Sequence, residues 1–262
     1  MNQHPADQPR TLRAHGITLA YRVAGPEDAP PLLLLHARGE SGTDWRPVLG
    51  ALADRRRVYA LDLRGHGAST WPGEYSYELM RDDVYAFLGA LGLTRVDVLA
   101  HSMGGLVACL LAQDRPRLMR SLVLEDVPAP LPLDPPRPPP ARPEGPLSFD
   151  WRMVLATERP RNLPDPAWWR RMDRIDLPVL MIAGGPDSVV DQASVAALAE
   201  RIPGARLVTV DAGHLVHATR PETFLAHVLP FLDAPGARVR PSAREEDAPR
   251  HGPFGSPLPG PR

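Results

Sequence analysis

A chain of 262 residues, 43% of them hydrophobic, has the length of one α/β domain and enough apolar content for a large core. Its formal net charge of -1 carries no electrostatic footprint for nucleic acid, so no nucleic-acid partner is expected. All 30 basic residues are arginine, which excludes Schiff-base and lysine-bound cofactor chemistry, and the single cysteine, Cys109, excludes an internal disulfide and a cysteine-built zinc site.

Residues 1–10 are polar, contain two prolines and have no apolar h-region, so they read as a flexible N-terminus. No run reaches transmembrane length, and the expectation is a cytoplasmic protein with no membrane partner. Thr11–Ala14 and Ile17–Val23 read as two strands joined at His15-Gly16. Leu32–Leu35, a run of four leucines, fits a strand buried on both faces. A polar loop, His36-Ala37-Arg38-Gly39, follows it, and then a helix from about Thr43 to Asp54. Val58–Leu61 is the next buried strand. Ser76 caps a helix with Leu79, Val84, Phe87, Leu88 and Leu91 on one face. Val96–Ala100 is a strand that turns within three residues into a helix carrying Leu106, Val107, Leu110 and Leu111, with Cys109 as a small buried apolar residue.

Leu122–Leu124 is a further short strand ending at Glu125-Asp126. After about Asp176 the order resumes with strand Val179–Ala183, helix Asp191–Ile202, strand Leu207–Val210 and a last helix from Pro221 to about Asp233. This alternation argues for an α/β fold with a mostly parallel sheet of about eight strands and helices on both faces. Two stretches interrupt it. Residues 127–176 open on a proline-dense tract that cannot be a strand, then carry Trp151, Trp168 and Trp169; they read as a cap inserted over the strand ends. Residues 234–262, rich in Pro, Gly and Arg, read as a disordered tail outside a domain spanning 11–233.

The corner at Ala100-His101-Ser102-Met103-Gly104 carries the chemistry. A strand that turns this sharply leaves no room near the corner, and the small residues Ala100 and Gly104 make that room. The turn pushes Ser102 out at the carboxyl end of the strand, facing the free N–H groups of the following helix. The arrangement resembles the nucleophile elbow of the α/β-hydrolases, with Ala100 standing where that family has the first glycine of Gly-x-Ser-x-Gly. Asp62-Leu63-Arg64-Gly65-His66-Gly67-Ala68-Ser69 is similar to the family's Asp-x-Arg-Gly-His-Gly-x-Ser run, which implies a structural turn.

A serine hydroxyl needs a base to take its proton, and histidine has the right acidity. His36, His66 and His101 also lie at carboxyl ends of strands, so position alone does not select among the nine histidines. The resemblance, with its chain order of Ser, acid, His, implies His214 in Asp211-Ala212-Gly213-His214, with His217 as a partly buried neighbour. For the acid it implies Asp187, in the turn Gly184-Gly185-Pro186-Asp187; Asp126 is the alternative. It also implies an oxyanion hole from the backbone N–H groups of Met103 and Arg38. A side chain of Arg38 facing inward would favour a substrate carboxylate. Trp151, Trp168 and Trp169 are expected to line the substrate pocket, at least in part.

The expected function is a serine hydrolase acting on a small carboxylic ester, lactone or related acyl substrate, with Ser102, His214 and Asp187 as triad and neither metal nor cofactor. The alternatives are a lyase, carbon–carbon hydrolase or cofactor-free perhydrolase on the same triad, and a slow-turnover ligand-binding receptor. Enzymes of this fold with an aspartate nucleophile are disfavoured because Ser102 holds that position.

Overall fold

The computed structural model describes residues 8–234. Most of the expected flexible N-terminus and nearly all of the expected tail, residues 1–7 and 235–262, lie outside the described residues. Within these residues eight strands form one sheet: β1 (Arg10–Ala14), β2 (Ile17–Ala24), β3 (Pro31–Leu35), β4 (Arg57–Leu61), β5 (Val96–His101), β6 (Met119–Glu125), β7 (Val179–Ala183) and β8 (Arg206–Thr209). Their order is β1-β2-β4-β3-β5-β6-β7-β8; β1 and β2 pair antiparallel, as do β2 and β4, and every pair from β4 through β8 is parallel. The hairpin β1–β2 turns at His15 and Gly16, both at positive φ, as a two-residue turn of matching twist requires.

Among the described residues, eight α-helices accompany the sheet: α1 (Arg46–Ala53), α2 (Tyr77–Ala90), α3 (Ser102–Asp114), α4 (Trp151–Asn162), α5 (Pro166–Arg170), α6 (Gln192–Arg201), α7 (Val216–Thr219) and α8 (Pro221–Asp233). The four-leucine strand β3 shows why both faces are covered. Leu33 and Leu35 join a core with Phe87 of α2 and Val107 of α3, while Leu32 and Leu34 join a second core with Trp45, Val48 of α1 and Phe224 of α8. Side chains alternate across a strand, so a strand in the middle of such a sheet must be apolar at every position. The helix starts follow local chemistry. Ser76 accepts a hydrogen bond from Leu79 N at 3.1 Å, the side chain of Asp191 accepts one from Ala193 N, and Pro221 sits in the first turn of α8. α1 starts at Arg46 rather than Thr43, because Ser41–Trp45 close a turn in which Asp44 accepts from Ser41 N.

β4 flanks β3 on one side and β5 on the other, so strand order reverses between β3 and β5. Loops leaving the carboxyl ends of strands diverge at such a point and leave a crevice. The loops bordering it are tied together by buried polar groups. The Asp62 carboxylate accepts from Gly42 N at 2.8 Å, Ala68 N at 3.0 Å and Arg22 Nη1 at 3.1 Å. Gly67, at φ +48, lies so close that a Cβ there would sit 2.4 Å from Asp62 Oδ2. His36 Nε2 accepts from Leu63 N at 3.0 Å and His66 Nε2 accepts from Gly39 N at 3.2 Å, while each Nδ1 donates to a backbone carbonyl. Both rings must be neutral to accept in this way, and burial pushes His36 down to about 4 and His66 to about 3.

These two histidines make stability depend on pH. Between the ordinary 6.5 and the depressed native values, the unfolded chain binds protons that the native chain refuses. Their contribution is complete above pH 6.5 and is lost as pH falls through about 4 for His36 and about 3 for His66. The urea midpoint is therefore expected to fall between pH 7 and pH 4, and His66→Gln should flatten that dependence; an unchanged slope would show that His66 is not held neutral.

Candidate active site

Ser102 stands at the junction of β5 and α3 with φ +49, a left-handed backbone rare for a residue with a Cβ. Close packing forces the corner. A Cβ on Gly104 would lie 2.6 Å from His36 O and 2.7 Å from Leu35 O, and one on Gly105 would lie 2.2 Å from Val127 Cγ2. Ala100, where the elbow pattern has glycine, is fully buried in β5 between Leu35 and Leu124, and its methyl group fits there. Ser102 and His214 line one cavity of about 620 Å³, together with Met103 and Arg38. Met103 sits in the first turn of α3, where N–H groups have no intrahelical acceptor.

His214 Nδ1 bonds to Asp126 Oδ2 at 2.7 Å, not to Asp187. Asp187 is exposed, and its carboxylate bonds to no described residue. The expectation of Asp187 as the partner of His214 is corrected to Asp126, and the reason lies in how the chain leaves β6 and β7. Asp126 follows β6 directly, at φ +48, with its N–H on Ile182 O. The turn after β7, with Gly185 at φ +77, passes over this carboxylate: Gly184 N donates to Oδ1 at 2.9 Å and Ser188 Oγ donates to Oδ2. Gln192 Nε2 adds a fourth bond at 3.1 Å. Asp187 thus stands one residue before the side chain that turns inward. Burial alone would raise the Asp126 carboxyl, but the donors His214, Ser188, Gly184 and Gln192 outweigh it and hold it below the usual carboxylate range. An ionised Asp126 fixes the proton of His214 on Nδ1 and leaves the lone pair on Nε2. Ser188 and Gln192 were invisible as site residues in the sequence; a polar residue next to a motif aspartate is the only signal they give.

The neighbouring histidines are supports. His101 bonds through Nε2 to His214 O at 2.9 Å and through Nδ1 to Glu40 Oε2 at 3.3 Å. Burial would lower its pKa, but Glu125 and Glu40 overcome that and raise it, so the ring can donate on both sides. His217, expected to be partly buried, is fully enclosed and bonds to both oxygens of Glu125 and to Asp44 O.

The three tryptophans do not line the cavity. Trp168 is buried edge-on against Tyr77, and its Nε1 donates to Glu78 at 3.1 Å; Trp169 lies under the Arg201 guanidinium; Trp151 opens α4, partly buried against the core. Their indoles anchor α4 and α5 to the body of the molecule. The cavity wall is instead the run Pro128–Leu133, with Leu106, Pro160 and Val190. Irregular backbone beside an apolar cavity needs partners for its N–H groups. Prolines at 128, 130 and 132 remove every second donor. The remaining ones are satisfied: Ala129 N donates to Ser194 Oγ at 3.0 Å, Leu131 N to Ala129 O at 2.8 Å and Leu133 N to Asn162 O at 2.9 Å. The Arg38 side chain does border the cavity, and its Nη1 is bonded to Glu158 of α4 at 2.7 Å.

The closeness of α3 to the end of β3 gives a direct test. Gly104→Ala should destabilise the protein by ~1–3 kcal/mol, since the methyl group meets backbone carbonyls that cannot rotate away. Equilibrium unfolding in urea measures it, and an unchanged midpoint would show that the elbow is loose enough to admit a methyl group.

Residues 30–176 match the family model for the alpha/beta hydrolase fold. Over 82% of this chain and 85% of its own length, the sn-1-specific diacylglycerol lipase ABHD11 of Mus musculus is 27% identical. The putative carbamate hydrolase RutD of Agrobacterium fabrum is 27% identical over 81% of this chain and 97% of its own length. An uncharacterized protein of Mycobacterium tuberculosis is 39% identical, but over 46% of this chain, and the match spans only 34% of that relative's length. Among solved structures, a hydrolase from Pseudomonas aeruginosa superposes with a TM-score of 0.74 at 29% identity, covering 87% of this chain and 100% of that one. The enol-lactonase from Burkholderia xenovorans superposes with a TM-score of 0.71 at 25% identity, over 85% and 99% of the two chains. With the family model covering more than half of its length, this chain belongs to the alpha/beta hydrolase fold family.

Proposed function

We propose that this protein is a serine hydrolase of small carboxylic esters, lactones or related acyl compounds, with Ser102 as nucleophile, His214 as base and Asp126 as the acid that orients it. The observation that carries the reading is that Ser102, at a strained strand–helix corner, shares one cavity with a histidine whose Nδ1 is held by a buried carboxylate. Ser102 Oγ attacks the acyl carbon as His214 Nε2 takes its proton. The carbonyl oxygen becomes an oxyanion, held by the N–H groups of Met103 and Arg38. Collapse expels the alcohol, which takes the proton from His214, and leaves an acyl-enzyme on Ser102. Water, deprotonated by the same histidine, releases the acid and restores the serine. Asp126 stabilises the imidazolium formed in each half without accepting its proton.

The relatives named as a lipase, a carbamate hydrolase and an enol-lactonase support acyl chemistry of this kind. A lyase or carbon–carbon-bond reading on the same triad rests on Arg38 as a cation near the reacting centre, and its guanidinium is engaged with Glu158 on α4. No described helix is long and apolar enough to cross a membrane.

Ser102→Ala should abolish labelling by a fluorophosphonate probe and lower hydrolysis of p-nitrophenyl butyrate by ~10³–10⁶-fold while leaving the melting temperature nearly unchanged. Retained labelling would eliminate Ser102 as nucleophile. Asp126→Asn should cost ~10⁴-fold in kcat through the wrong histidine tautomer, whereas Asp187→Asn should stay within a few-fold of the parent. The reverse ranking would return the acid role to Asp187.

A further inference from the structure

The cavity has a second chemical feature, on the side that α4 closes. Arg38 Nη1 and Arg161 Nη1 both donate to the same oxygen, Glu158 Oε2, at 2.7 Å and 3.1 Å. Arg38 and Arg161 border the cavity, and so does Arg137, whose side chain bonds to no described residue. Two guanidiniums thus share one carboxylate oxygen, and the exposed Arg137 lies at the same cavity. The other acids of the cavity are engaged elsewhere: Glu40 faces His101, and Asp191 caps α6 from an exposed position. Arg161 feels the excess, since burial and then the nearby Arg38 cation lower its pKa, with Arg137 adding to them against Tyr77 and Glu158. Each guanidinium has five donors in a rigid fork, and the Glu158 bond uses one from each.

Tyr77 completes the feature. Its ring is buried at the cavity wall, and its hydroxyl has no hydrogen-bond partner among the described residues. Burial pushes it up to about 12, so it remains a donor at any working pH. An unused phenol donor beside two guanidiniums with donors to spare matches an anion with two acceptor oxygens.

We propose that Arg161, Arg38 and Tyr77 form a carboxylate-binding subsite, so that the preferred substrate is a hemiester whose acyl chain ends in a free carboxylate. The hydrolytic part rests on Ser102 being the nucleophile; the binding part does not. A carboxylate held there places the ester end of the chain toward Ser102, and a neutral ester of equal length forfeits that anchor.

Binding to the Ser102→Ala protein separates the two parts, because no turnover is needed. Calorimetry with monomethyl and dimethyl succinate, adipate and suberate should show at least one hemiester binding about tenfold or more tighter than its diester, the range of one to two hydrogen bonds to a charged group. Raising NaCl from 0.02 to 0.3 M should shrink that preference. Arg161→Gln should remove most of it. Tyr77→Phe, which keeps the ring packing, should reduce it by about threefold, and it provides the reading if Arg161→Gln does not fold. Hemiesters that bind no better than diesters, or a preference that survives Tyr77→Phe and high salt undiminished, would overturn the subsite. Failure of the native protein to take a fluorophosphonate probe would overturn Ser102 as nucleophile and leave the binding result standing.

Discussion

The carboxylate of Asp126 is the joint on which the site turns. It accepts from four sources: the His214 ring, the Gly184 backbone, the Ser188 hydroxyl and the Gln192 amide. These come from the loop after β8, the turn after β7 and the first turn of α6, so one buried charge holds three segments in register around the end of β6. A carboxylate buried without such donors would protonate or draw in water. With them it stays ionised, and an ionised partner sets which nitrogen of His214 carries the proton. His101 braces the same loop from the other side by bonding to the His214 carbonyl, so ring and backbone of that histidine are each tied to a strand end.

A second constraint acts through space alone. Gly104 brings α3 within contact of the Leu35 and His36 carbonyls, and Gly105 meets Val127. Without that approach the corner could relax and Ser102 would have no reason to hold a left-handed backbone. The two constraints meet at the crevice where strand order reverses, which the sheet topology creates before any side chain is considered.

The sheet was legible because strand burial writes itself into apolar runs such as Leu32–Leu35, and because the caps Ser76 and Asp191 and the first-turn Pro221 mark helix starts by local chemistry. Ser102 and His214 could be singled out because small residues and chain order restrict where such corners occur. The choice between Asp126 and Asp187 was not legible. Both follow neighbouring parallel strands in polar turns, and what separates them is the path of Gly184-Gly185, a matter of backbone angles at one glycine. The tryptophans were readable as apolar bulk but not in direction: whether an indole faces a cavity or the body depends on how α5 lies against α2, and that is a long-range contact. Arg161, Tyr77 and Glu158 stood outside any motif, and only the folded chain brings them together.

The wall of alternating prolines has a consequence for how such a protein can change. Its three remaining amides are all hydrogen-bonded, so the segment's path is held by more than the packing of the side chains at Ala129, Leu131 and Leu133. Exchanging them alters the contour of the cavity while leaving the sheet ladder, the elbow and the Asp126 joint untouched. A lineage built on this chain could therefore drift through substrate sizes by substitutions at alternate positions of one short run, keeping its fold constant while its diet changes.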